Sequence, residues 1–234
     1  MLNMFKSELL KVKNTFLYLI CLGDLLLTLL LSFLVYEVAG SVDTTVRNEV
    51  FISLFSVIQI IVSVMNTHLF FSLEKSNKFQ NILSVKKFRQ LWAIKIGVMV
   101  TIQQIFAMTS LFGVRLICGD VFSLKTMSVA VLLQVLAVTN MHMLLISISG
   151  EIGNLLLGIL EVILSIFATN IPMRSIWQYF PSTYGYKIWE YYNQISSKQW
   201  LTVGFICLGL FFLNLILMKN LISDVRLKTV KRKK

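Results

Sequence analysis

The chain has 234 residues, 56% hydrophobic and 14% charged, with a mean hydropathy of +0.77. A soluble domain carries about 25% charged residues, so a water-soluble globule is excluded, and two prolines with eleven glycines exclude disordered and collagen-like chains. The net charge of +11 does not mark a nucleic-acid binder, because the basic residues lie between and beyond apolar runs, as in proteins oriented in a bilayer with an anionic cytoplasmic leaflet.

In residues 1–15, Leu2, Phe5, Leu9 and Val12 recur at three- and four-residue steps, continuing to Phe16, with Lys6, Lys11 and Lys13 between them. This spacing predicts an amphipathic interfacial helix. The next expected unit is a transmembrane domain over 16–222. Crossing a hydrocarbon core of about 30 Å takes roughly 20 apolar residues. Six stretches qualify, at about 16–37, 50–73, 94–115, 126–150, 152–170 and 199–219, the first carrying Asp24 and the fifth Glu161. The first is too long for a signal-peptide core and is expected to be retained. Residues 223–234 read as a basic tail. Sixteen Lys and Arg residues fall on one side of this arrangement and six on the other, so both termini are expected in the cytoplasm. The expected class is therefore an all-α membrane protein: six transmembrane helices, an N-terminal interfacial helix and a short cytoplasmic helix after the second span.

That short helix belongs to the long internal connection, Glu74–Lys95. Its apolar residues Phe79, Ile82, Leu83, Phe88, Leu91 and Trp92 are spaced for an amphipathic element that needs a lipid or protein partner. The connection Gly150–Gly153 is so short that the fourth and fifth spans must form a tight hairpin, eased by the small pair Ser149 and Gly153. Between the fifth and sixth spans, residues 171–198 hold both prolines and eight aromatics: Trp177, Tyr179, Phe180, Tyr184, Tyr186, Trp189, Tyr191 and Tyr192. Tyr and Trp favour the membrane–water boundary, so this external segment is expected to lie on or dip into the outer leaflet, as an anchor or as a contact for an amphipathic substrate.

No Gly-Lys dipeptide, HExxH or GxSxG occurs, and Cys21, Cys118 and Cys207 form no CxxC. An enzyme is not expected, nor is a metal site. Asp24 and Glu161 need explanation, because an ionised carboxylate near the bilayer centre costs on the order of 2.5–3.5 kcal/mol. Asp24, Glu161 and His142 each lie eight residues, about 12 Å, from the cytoplasmic end of their spans, with Asn140 nearby. One polar cluster of these four is expected, either fixing helix packing or forming a gate.

An interfacial N-terminal helix, six spans, a cytoplasmic loop after span two and an aromatic external loop before span six resemble the ABC-2 type permeases. The sequence Phe5-Lys-Ser-Glu8-Leu-Leu-Lys11 looks like that family's entry helix, and Glu74…Phe79-Gln-Asn-Ile-Leu-Ser84…Arg89-Gln-Leu91…Lys95 looks like its coupling-helix loop, with Val85-Lys86 where many members have proline. The resemblance implies that Glu74, Phe79, Asn81, Ile82, Leu83, Lys86, Lys87 and Arg89 form an ATPase-coupling loop. The apolar members would fill a groove on a separate ABC ATPase subunit, which would bind ATP and Mg; this chain would bind no cofactor itself. The small size and short external loops look most like the lantibiotic-immunity permeases. The implied function is export of an amphipathic peptide from a bacterial cytoplasmic membrane, by a homo- or heterodimer of permeases embedded in lipid.

Two rivals remain open at this level. The membrane subunit of an energy-coupling vitamin importer would need a polar external pocket, whereas the polar residues within the spans lean toward the cytoplasmic half. A non-transporting membrane assembly protein would have no ATPase on the Glu74–Lys95 loop.

Overall fold

A computed structural model describes residues 16–38, 42–76, 88–119, 122–170 and 176–231. The predicted interfacial helix over 1–15 and most of the predicted coupling helix lie outside these residues. Among the described residues there are helices and turns but no strand. In hydrocarbon every backbone N–H and C=O must find a partner within the chain, and helices satisfy this locally.

Helix α1 spans Phe16–Phe33 and widens into a π-helical turn over Leu34–Val38. Helix α2 spans Thr44–Ser76, α3 Phe88–Cys118 and α4 Leu124–Asn170. Two 3-10 turns, Trp177–Tyr179 and Pro181–Thr183, lead into α5, Tyr184–Tyr191, and α6 spans Ser197–Lys231. Five of these segments are long and apolar enough to cross a membrane: α1 with its π turn, α2, α3, α4 and α6.

The helices outrun the apolar stretches that predict them, because local capping, rather than hydropathy, sets where a helix ends. Helix α2 begins six residues before the predicted span, where the Thr45 N–H donates to Asp43 Oδ1 at 2.7 Å. That backbone donation, with the nearby Arg47 cation, holds the exposed Asp43 carboxyl below the usual carboxylate range. Helix α6 opens with a reciprocal capping box: the Gln199 N–H donates to Ser196 Oγ at 3.3 Å, and the Ser196 N–H donates to Gln199 Oε1 at 2.9 Å. At its far end α6 continues to Lys231, so residues 223–231 of the predicted tail are helical.

Burial is inverted relative to a soluble bundle. Helix α1 turns Cys21, Asp24, Thr28 and Ser32 inward and leaves Leu19, Leu26, Leu27, Leu30 and Phe33 exposed. Helix α6 buries Val203, Cys207 and Asn214 and exposes Leu201, Phe205, Leu208, Phe212 and Ile216. Water would disfavour such continuous aliphatic faces, whereas lipid is their natural solvent. The chain is a multi-pass membrane protein. Helix α2 lies at the centre, with α1 and α4 against it and its Phe51, Ile52, Phe55 and Ile60 fully buried.

Helix α4 is 47 residues long, about 70 Å if straight and more than twice the hydrocarbon thickness. It is not straight. Gly150 has φ 76° and ψ −167°, a conformation essentially confined to glycine. His142 and Glu161, which a straight helix would separate by about 28 Å, are in contact. The chain therefore doubles back at Gly150 into a first arm, 124–149, and a second arm, 151–170. A side chain at Gly153 would overlap Ser149, so the small pair singled out by the sequence sits at the reversal.

The aromatic segment differs from its expectation in what covers it. Trp177, Tyr184 and Tyr186 are buried in protein, Trp189, Tyr191 and Tyr192 are half-buried, and only Tyr179 is well exposed. The segment re-enters the bundle: Gln134 Nε2 donates to the carbonyls of Ser182 and Ser56, both at 3.2 Å. Gln134 lies ten residues into α4, so the segment reaches about 15 Å below the start of that helix. Irregular backbone at such depth persists only where protein covers it. Gly185 permits the close approach, since any side chain there would overlap Gln134 Oε1 and Ser56 Oγ.

Candidate functional site: polar groups inside the bundle

The four residues expected in one cluster fall into three separate sites. Asp24 meets α2 and α3. Gln59 Nε2 donates to Asp24 Oδ1 at 2.9 Å and Oδ2 at 3.1 Å, and Thr28 Oγ1 adds a long contact of 3.4 Å to Oδ1. Gln103 Nε2 donates to Gln59 Oε1 at 3.2 Å and to the Gln59 carbonyl at 2.9 Å. Ser63 Oγ lies 2.9 Å from the Gln59 carbonyl and 3.2 Å from Gln103 Oε1, either of which can accept its proton. Gln103 donates to Gln59 and Gln59 to Asp24, so successive amide dipoles point at the carboxylate. All of these residues are buried, and among the described residues no cation pairs with Asp24.

His142 and Glu161 do meet, across the two arms of α4. His142 Nε2 lies 2.6 Å from Glu161 Oε2, and Nδ1 lies 2.6 Å from Asn154 Oδ1. All three side chains are at most 2% exposed. Both ring nitrogens are engaged, so the imidazole is fixed by partners 12 and 19 residues along the chain. Asn140 belongs to neither site: Asn214 of α6 donates to its carbonyl at 2.7 Å and its Oδ1 at 2.9 Å. Equal depth misled because Asp24 faces Gln59 where α1 packs on α2 and α3, whereas His142 and Glu161 face each other across the two arms of α4.

Gln59, Ser63, Gln103, Asn154 and Asn214 complete these sites and were missed by attention to ionisable groups alone. The available signal was an uncharged polar residue in the middle of an otherwise apolar run.

At the Gly150 end, Glu74 turns inward from the root of the 77–87 connection. Its carboxylate pairs with Lys95 Nζ of α3 at 2.5 Å, and both side chains are under one-tenth exposed. Glu74 is thus a tie between α2 and α3, not a docking residue. Lys95 also stands 5.1 Å over the Phe70 ring. The exposed Lys75 pairs with Glu151 at 3.1 Å, joining the same root to the tip of the α4 reversal. Arg89 is exposed at the start of α3. Phe79, Asn81, Ile82, Leu83, Lys86 and Lys87 lie outside the described residues.

In the aromatic segment, Trp177 and Tyr184 meet edge to face at 6.1 Å. The Tyr184 hydroxyl donates to the Gln178 carbonyl at 2.8 Å. Tyr186 and Tyr191 flank the buried Lys187 ammonium at 5.2 and 5.3 Å, and Lys187 bonds to Glu190 at 2.7 Å. Phe180, half-buried, ends the first 3-10 turn with its N–H on the Trp177 carbonyl.

Among the described residues no three His, Cys, Asp or Glu side chains are grouped to hold a metal. The polar sites tie helices together across the membrane interior. Compared with known protein families, curated proteins and solved structures, the chain has no significant match.

Proposed function

We propose that the chain is the membrane-spanning permease subunit of an ATP-driven exporter of ABC-2 type, with an amphipathic, lantibiotic-like peptide as cargo. The observation that carries this reading is the reversal at Gly150. It divides α4 into two arms, each long enough to cross alone, and so supports six crossings with both termini on one side. The positive-inside rule makes that side the cytoplasm, and the cell would be bacterial, as the permease resemblance implies. The 77–87 connection then faces the cytoplasm, and the re-entrant aromatic segment faces outward before the last crossing.

ATP and Mg belong to a separate ATPase subunit docked on the 77–87 connection, and a second permease, identical or different, completes the transporter. The buried Glu74–Lys95 pair and the Lys75–Glu151 pair support this role for the connection. They join its root to α3 and to the α4 reversal, so a push on the loop would reach three helices. The exported peptide would move laterally from lipid, which needs no water-filled filter.

Affinity purification from mild detergent tests the reading, comparing wild type with a Phe79→Ala/Ile82→Ala/Leu83→Ala variant at equal membrane level. The expected result is an ATPase subunit that copurifies with wild type and falls at least tenfold with the variant. Wild-type protein without an ATPase under ATP-trapping conditions would remove the permease reading.

A further inference from the structure

At the end of the bundle opposite Gly150, a cavity of about 290 Å³ opens between the start of α4 and the end of α5 with the residues just after it. Thr126 forms one wall, and Trp189, Glu190, Tyr192, Asn193 and Gln194 form the other. Its size is at the small end for ligand pockets, fitting a side chain or headgroup rather than a whole molecule of drug size.

The formal charge on the walls is of one sign. The single charged residue among them is Glu190. The neighbouring cation, Lys187, is 1% exposed and turned between the Tyr186 and Tyr191 rings, so its ammonium does not line the cavity. It engages Glu190 through Oε2, which leaves Oε1 for a second donor. Two rings stand beside this carboxylate in positions set by other rings: Trp189 lies 5.9 Å from Tyr186, and Tyr192 meets Trp200 edge to face at 6.0 Å. The Thr126 hydroxyl and the Asn193 and Gln194 amides can each accept or donate, so the sign of the ligand is set by Glu190. A carboxylate beside aromatic rings favours a cation bearing N–H groups over an anion.

We propose that this cavity binds an organic ammonium or guanidinium group at the membrane boundary. Two sources carry that chemistry: a lysine or arginine side chain of an exported peptide, and the headgroup of phosphatidylethanolamine. The assignment to a peptide rests on the permease reading; the cation site itself does not.

The test uses the full chain in phosphatidylcholine nanodiscs, with empty nanodiscs subtracted. The probes are a synthetic amphipathic helix of leucine and lysine, and the same peptide with every lysine acetylated. Protein-dependent binding of the cationic peptide is expected to weaken about tenfold in Glu190→Gln and about tenfold on acetylation. Asn193→Ala changes the wall without touching Lys187 and is expected to weaken binding two- to threefold, roughly the loss of one neutral hydrogen bond. This second variant keeps the test decisive if Glu190→Gln disturbs folding. Phosphatidylethanolamine added to the nanodiscs identifies the headgroup as occupant if it displaces the peptide from wild type but not from Glu190→Gln.

Equal binding by wild type and both variants, or equal binding of the acetylated peptide, would overturn the proposal. So would the absence of protein-dependent binding of both peptide and phosphatidylethanolamine. Glu190-dependent binding without a copurifying ATPase would leave the cavity standing and remove the permease; the converse would do the reverse.

Discussion

Glu161→Ala is expected to be strongly destabilising, at about 3–5 kcal/mol, because it leaves His142 Nε2 buried without its partner. His142→Ala is expected to fall in the same range, leaving a buried carboxylate and Asn154 Oδ1 unmatched. The comparison that identifies the mechanism is Asn214→Ala, which removes neutral amide bonds to Asn140 and is expected to cost only about 0.6–2 kcal/mol. The double change His142→Leu/Glu161→Leu replaces both polar groups and is expected to cost less than either single alanine. Reversible unfolding in mixed micelles measures all four. Equal costs for Glu161→Ala and Asn214→Ala would show that the His142–Glu161 contact is no stronger than an ordinary amide bond between helices.

The second large effect falls on the backbone. Gly150→Ala is expected to destabilise by about 1–3 kcal/mol, the strain of holding an L-residue at φ 76° and ψ −167°. A methyl group there meets nothing within 4 Å, so crowding cannot contribute and the loss reports strain alone. Gly23→Ala is the control. Its site in α1 is equally open and helical, so alanine is expected to be neutral or to stabilise by about 0.5–1 kcal/mol. Parallel melting of the two variants separates a required reversal from a general sensitivity to alanine. Gly150→Ala matching Gly23→Ala would contradict the bend.

Much of the helical framework is legible in the sequence because uninterrupted apolar runs of membrane length leave the backbone no alternative to helix. The position of the α4 reversal is legible too, from a four-residue connection containing two glycines. Helix ends are not, since caps such as Asp43 and Ser196 decide them locally. Depth along a helix follows from counting residues, but rotation about its axis does not. Counting therefore brings His142 together with Glu161, whose arms are joined by the short reversal, and wrongly adds Asp24, which faces Gln59. Glu74 illustrates a further limit: its position beside a basic connection suggests an exposed docking residue, and only the packing of α2 on α3 shows it turned toward Lys95. The aromatic segment is expected on or in the outer leaflet, but composition does not distinguish lipid from protein as the cover for its rings. Gln134, reaching from α4 to the Ser182 carbonyl, makes that distinction.

Cysteine accessibility at three exposed serines tests the six-crossing bundle most directly, in a background with Cys21, Cys118 and Cys207 replaced by alanine. Intact cells would be treated with a membrane-impermeant maleimide. Ser123→Cys, before the first arm of α4, and Ser196→Cys, before α6, are both expected to react from outside. Ser149→Cys, at the reversal, is expected to react only after the membrane is opened. Labelling of Ser123→Cys and Ser196→Cys from opposite faces would mean that α4 crosses once, contradicting the six crossings and the permease architecture built on them.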